Sequence, residues 1–415
     1  MIRVCRTVAV PLPGAIREET MSSHSPGDCA MRSHPIAADL LRGLAELDPT
    51  DRGWLLHRLP ARARAQCGDP QLAAVEAQPS GVRLVFRTRA TAIELDLLRT
   101  RTILVGVPER PDGMVDLLID GRLTQQVATT GGDVVRVDPA TGHTESRRGS
   151  VGTVRFTGLS AQDKDVEIWL PHYERIEIVA LRTDDAITRT PHSGRRVWLH
   201  HGSSISQGSN AASPSTTWPA VAAALGGVEL INLGLAGSAM LDPFVARAMR
   251  DTPADFLSVK IGINIVNGDV MRVRAFGSAV HGFLDTVRDG HPDSPLLVMG
   301  PLHCPIHENT PGPGAFDVAA LASGQIRFIA TGDPADTSRG KLTLSVIREQ
   351  LAEIMAARAV DDPHLYYLDG RDLYGAEDFT EHPLPDNLHP DASTHQIIGR
   401  RFARSAFSVE GAPFG

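Results

Sequence analysis

The sequence predicts an α/β protein in which a doubly wound parallel sheet is preceded by an all-β sandwich. Three observations carry this reading. The chain has 415 residues, more than one ordinary core accommodates, so two domains are expected. Its texture changes near residue 195, from short alternating strands to strand–helix alternation. The links in the second half are short, as in successive βαβ units. Composition fits a soluble globular class, with 42% hydrophobic and 22% charged residues. A net charge of −8 gives no reason to expect a nucleic-acid or anionic-membrane partner. No apolar run reaches the roughly 18 residues needed to span a bilayer.

Residues 1–34 are rich in Ser, Pro and Gly and are expected to be a disordered lead. Pro11 and Pro13 interrupt the only apolar stretch there, so no signal peptide is expected and the cytoplasm is the expected location, with secretion left open. The β-sandwich, of jelly-roll type, is expected over 35–192. Val82–Arg87 and Ala92–Leu98 read as strands. Val115–Ile119 and Leu123–Val127, joined by Asp120-Gly121, read as a tight hairpin. Val154–Phe156, Val166–Leu170 and Arg175–Leu181 add strands, and the polar, Gly-rich segment Gly131–Ser150 reads as a long loop. The cysteines Cys5, Cys29, Cys67 and Cys304 are scattered and suggest neither a disulfide framework nor a zinc knuckle.

The second domain is expected over 193–415. Strands are expected at Arg196–His201, Val228–Asn232, Phe256–Ile261, Pro295–Met299 and Leu365–Leu368. Helices are expected at Thr217–Leu225, stopped by Gly226-Gly227, then after the cap Asp242, and at Val270–Val287, Lys341–Ala359 and Thr394–Phe407.

Ligands of such sheets bind beyond the carboxyl ends of the strands. There the chain places Gly202-Ser203-Ser204-Ile205-Ser206-Gln207-Gly208, then Asn232 to Gly237, then Gly262-Ile263-Asn264, and finally Asp386-Asn387-Leu388-His389. All four sets converge on one rim. Acyl transfer needs a nucleophile, a base, a group that orients the base, and donors for the oxyanion. Ser204 can be the nucleophile, His389 the base and Asp386 its orienter. Gly237 can offer a backbone N–H and Asn264 a side-chain amide. Taken singly, each has a plainer reading: turn serine, surface histidine, capping asparagine, tight-turn glycine.

Together these segments resemble the conserved blocks of the SGNH/GDSL hydrolases. Gly202–Gly208 is similar to the first block, Gly237 to the second, Asn264 to the third and Asp386/His389 to the fifth. The resemblance covers 196–407. It implies a flavodoxin-like sheet, a Ser204–His389–Asp386 triad, an oxyanion hole from Ser204, Gly237 and Asn264, and no cofactor. Ser203 stands where the GDSL form has Asp. The N-terminal half is similar in texture to the jelly-roll domain of carbohydrate-esterase-like members.

The expected activity is hydrolysis of a small-molecule or carbohydrate ester through an acyl-enzyme. One alternative is acyl transfer to an acceptor other than water. Another, of a different class, is a carbohydrate- or lipid-binding protein with a vestigial site. His303, Cys304, His307 and Glu308 lack the spacing of a zinc site, and Pro301 and Pro305 oppose a helix there. Gly340-Lys341 lacks the Ser or Thr of a phosphate loop. No G-x-S-x-G elbow surrounds Ser204. Oligomeric state is not legible.

Overall fold

Five parallel strands form the spine of the C-terminal half: β1 (Val197–Gly202), β2 (Glu229–Gly234), β3 (Phe256–Lys260), β4 (Leu296–Met299) and β5 (Leu365–Leu368). The computed structural model describes residues 30–138, 141–190, 194–408 and 411–415. The strand order is β2-β1-β3-β4-β5, so the sheet is wound outward in both directions from β1 and β3. β3 and β4 are buried at every position, the pattern of strands covered on both faces. The helix Leu344–Arg358 buries Leu344, Ile347, Leu351 and Ile354, the stripe its periodicity gives. Two helices start three residues later than expected, at Val273 and Leu344. At the second, the Thr343 hydroxyl accepts the Val346 N–H and fixes the start. Asp242 stands at the cap position of Pro243–Asp251 but makes no side-chain capping bond.

The N-terminal half folds into two sheets. An eight-stranded sheet is centred on Ile93–Leu104 and Arg175–Thr183, and a six-stranded one on Arg83–Thr88 and Lys164–Trp169. Ile93, Leu95, Phe156 and Ile176 of the first meet Leu84, Phe86, Val166 and Ile168 of the second in one apolar cluster. The hairpin forms as expected, with Asp120 and Gly121 both at positive φ. Gly131–Ser150 is not the expected long loop. Asp133–Val137 pairs parallel to Ile93–Leu104 and antiparallel to Thr144–Arg147. Thr144–Arg147 is exposed at all positions and has no apolar alternation to announce it. Arg32–His34, placed in the disordered lead, pair with Arg175–Thr183; residues 1–29 lie outside the described residues.

Met31–Gly415 form one unit, and the division into halves is less clean than the sequence suggests. Leu59, Leu72 and Val75, on and beside the helix Pro70–Glu76, belong to the apolar core of the parallel-sheet half. Buried Arg83 pairs with Glu229 of β2. Buried Asp116 accepts the Ser213 and Ser215 hydroxyls, each at 2.6 Å. Among the described residues no helix is long and apolar enough to cross a membrane.

Candidate active site

β1 ends at Gly202, and the chain turns at once into the short helix Ser204–Gln207. Ser204 is therefore the first helical residue, and its N–H has no acceptor within the helix. Its Oγ lies 3.0 Å from His389 Nε2. His389 Nδ1 lies 2.8 Å from Asp386 Oδ2. The other Asp386 oxygen accepts the backbone N–H groups of His389 at 2.7 Å and Leu388 at 3.0 Å. Asn387 makes this turn possible, because it sits at φ 66, a conformation Asn tolerates better than most residues. Burial opposes the charge on Asp386, but the His389 ring and these two N–H groups outweigh it and hold the carboxyl below its usual pKa. Asp386 is thus a carboxylate that accepts from Nδ1, which leaves Nε2 as the acceptor facing Ser204. The three residues assemble across 185 positions of sequence.

Asn264 follows β3. Gly262 precedes it at φ 137, a region closed to residues with a Cβ, and this turns the chain into the helix Ile263–Asn267. Asn264 Oδ1 accepts the Ala239 N–H at 3.2 Å, so its NH₂ group is the end left to donate. Gly237, at φ 71, lies on the loop after β2. On that loop the Leu235, Ala236, Ser238 and Ala239 N–H groups all have protein acceptors. Among the described residues, the Gly237 N–H has none.

Ser206 lies in the same turn and also contacts a histidine, His200 Nε2 at 2.8 Å. The pair is unsuited to attack. Ser206 is 0% exposed, against 7% for Ser204 and 6% for His389. Burial also pushes the His200 pKa well below its usual value, so it resists taking a proton.

Loops beyond β4 wall the site. His303, Leu302 and Cys304 share a small cavity with Ile205 and Leu388, neighbours of Ser204 and His389. Half-exposed Phe328 meets the His389 ring edge-on at 5.6 Å and packs on Phe316 at 4.9 Å. Pro305 does not oppose a helix: Pro305–Glu308 is one helical turn with the proline at its start, where no N–H is needed. There Glu308 pairs with Arg348, and His307 is held by Thr310 O and Asn267 Oδ1. Among the described residues no group of three His, Cys, Asp or Glu is placed to hold a metal ion. Cys67 and Cys304 are free thiols; Cys5 and Cys29 lie outside the described residues.

Sequence reasoning missed three polar residues around the site. Arg58 is buried and donates to the carbonyls of Asn232 and Gly234 on β2. Gln71 donates to Ala236 O. Lys260, 3% exposed, reaches Ser203 Oγ at 3.4 Å. The first two come from a segment read only as part of a β domain. Lys260 was visible, as the one charged residue in an otherwise uncharged strand.

Residues 196–305 match the family model described as GDSL-like Lipase/Acylhydrolase. This region belongs to the SGNH/GDSL hydrolases. Asp386 and His389 lie beyond the matched range, and the fold brings them to Ser204. No curated protein matches significantly. Among solved structures, the chain is similar to the salicylyl-acyltransferase SsfX3 from a tetracycline biosynthetic pathway, with 26% identity, TM-score 0.69, and 91% of this chain and 94% of that one covered. A Bacteroides ovatus protein described as a GDSL-like lipase shares 19% identity, with TM-score 0.62 and coverage of 90% and 96%. A family two carbohydrate esterase from Clostridium thermocellum shares 12% identity, with TM-score 0.53 and coverage of 88% and 97%. The last two likenesses show the SGNH fold alone.

Proposed function

We propose that this chain is a serine esterase that works through an acyl-enzyme on Ser204. The observation that carries the reading is the continuous relay from Ser204 Oγ through His389 to Asp386. His389 Nε2 takes the Ser204 proton as Oγ attacks the ester carbonyl. Asp386 steadies the imidazolium. The Ser204 N–H, the Gly237 N–H and the Asn264 amide receive the oxyanion. His389 then protonates the leaving alcohol and afterwards draws a proton from water, which releases the acid. None of these steps calls for a cofactor. The β half is read as a jelly-roll-type accessory domain.

A second reading keeps the first half of this cycle and replaces water by an alcohol or amine. The likeness to a salicylyl-acyltransferase over most of both chains supports it. The half-exposed Phe316–Phe328 wall supports a substrate with an apolar or aromatic part in either case. An intact relay argues against a binding protein with a vestigial site.

A fluorophosphonate probe tests the proposal. Labelling at Ser204, lost in Ser204→Ala, is the expected result; no labelling of the native protein overturns it. Product analysis with p-nitrophenyl esters, with and without added alcohols, then separates hydrolysis from transfer.

A further inference from the structure

The helix Pro70–Glu76 comes from the β half, yet its first turn touches the loop that carries Gly237. Asp69 caps this helix by accepting the Gln71 N–H at 2.8 Å. Leu72 and Val75 anchor it in the core of the hydrolase half. Gln71, itself exposed, sends its side chain to the loop, where Nε2 donates to Ala236 O at 3.1 Å. A Cβ on Gly237 would lie 2.9 Å from Nε2, so the two groups are in close approach.

The acceptor is what makes this contact informative. Ala236 C=O and Gly237 N–H are the two ends of one peptide group. That group is planar, and in its trans form the two ends point in opposite directions. A donor fixed on the oxygen therefore sets the direction of the N–H. It also draws electron density toward the oxygen and makes the N–H a stronger donor, the polarisation seen along hydrogen-bonded chains. The loop is held at further points. The Ala236 N–H donates to Gln207 Oε1 at 2.9 Å. Arg58 donates to Gly234 O at 2.6 Å, Asn232 O at 3.0 Å and Val75 O at 2.6 Å, tying β2 to the helix that bears Gln71. Glycine at 237 has a freely turning backbone, so an unheld peptide there would have no fixed direction.

We propose that Gln71 is a positioning residue of the oxyanion hole, acting through the Ala236–Gly237 peptide, so that the β half contributes directly to turnover. This rests on the reading of Gly237 as an oxyanion donor. Gln71 touches no reacting atom; its effect is felt only as negative charge develops on the substrate oxygen, and so falls on kcat rather than KM.

The test uses the full chain and p-nitrophenyl acetate. Gln71→Met keeps length and removes the donor; Gln71→Glu replaces the donor by a carboxylate facing Ala236 O. Loss of one hydrogen bond of ordinary worth corresponds to a fall of about three- to tenfold in kcat for Gln71→Met. Gln71→Glu should fall further. KM should stay within about twofold, and fluorophosphonate labelling of Ser204, which also builds charge on an oxygen in the hole, should slow in the same ratio as kcat. Melting temperatures should match the native chain, since the side chain is exposed. Unchanged kcat and labelling in both variants, or a rise in KM alone, overturns the inference. Ser204→Ala, run beside them, separates the two claims. If it keeps native activity the esterase reading fails; if it is inactive while the Gln71 variants are unimpaired, only the role of Gln71 fails.

Discussion

Ser204, Asn264 and Lys260 sit within one turn of strand ends, yet each carries a different expectation. Ser204→Ala should remove ester hydrolysis and leave the fold intact, with only roughly 10³-fold catalysis over water remaining. A loss of merely a few-fold, measured under saturating ester, would move the assignment elsewhere. On the proposed role, in which the Asn264 NH₂ meets an oxyanion only at the tetrahedral stage, Asn264→Ala should lower kcat by about 10²–10³ with little change in KM. A change in KM alone would make Asn264 a substrate contact. Lys260 is a matter of stability. Burial lowers its pKa from 10.5 to about 8, so at pH 7 it is charged in an interior that disfavours the charge. From pH 8 to 10.5 the unfolded chain holds a proton that the folded one has released, so stability climbs with pH across this window. Lys260→Met should therefore raise the melting temperature at pH 7, by up to about 3 kcal/mol in stability, and the gain should shrink by pH 10. Equal gains at both pH values would show that the charge is not the cause.

Elements were legible where local pattern and tertiary role agree. The five strands of the parallel sheet are short, largely apolar runs, and each was found to within a residue or two. In the relay, Ser204 was legible because it directly follows a strand end, and Asp386 and His389 because they stand three residues apart just ahead of the last helix. The hairpin Asp133–Val137 with Thr144–Arg147 was not, since its outer strand, Thr144–Arg147, is exposed throughout and needs no apolar alternation. The helix Pro70–Glu76 was missed because seven residues leave little periodicity and its partner is 165 residues away. The paired strands Gly314–Phe316 and Phe328–Ala330 are three residues each, too short to show a period. They bring Phe328 onto His389. Phe328→Ala should raise KM for esters with aromatic acyl groups more than for acetate, measured as the ratio of kcat/KM values. A ratio equal to that of the native chain would remove this pair of strands from the substrate site.

At the level of the whole molecule, buried histidines set the acid limit. His172 is pushed down to about 3, His201 and His395 to about 4, and His200 well below its usual value, all by burial. Each stays neutral in the folded chain while its unfolded counterpart takes a proton below about pH 6.5. Between pH 6.5 and about 4 the unfolded chain thus binds more protons, and stability falls as pH falls, by up to about 5 kcal/mol per pH unit if all four act together. Thermal melts from pH 8 to 4.5 should show the decline beginning just below 6.5. A flat profile down to pH 5 would mean that the native state opens to hydrate these rings.

The seam between the halves has a consequence for protein engineering and for descent by recombination. Asp116 reaches across it to Ser213 and Ser215, on the chain just after the turn that carries Ser204, and Arg83 reaches Glu229 at the foot of β2. Exchanging either partner for a stranger's removes a contact made by a buried polar group, Asp116 or Arg83. A chimaera that joins this β half to another hydrolase, or this hydrolase to another β half, therefore inherits mismatched charges at its centre. Libraries that shuffle at residue 193 should therefore yield fewer folded members than libraries that shuffle within either half.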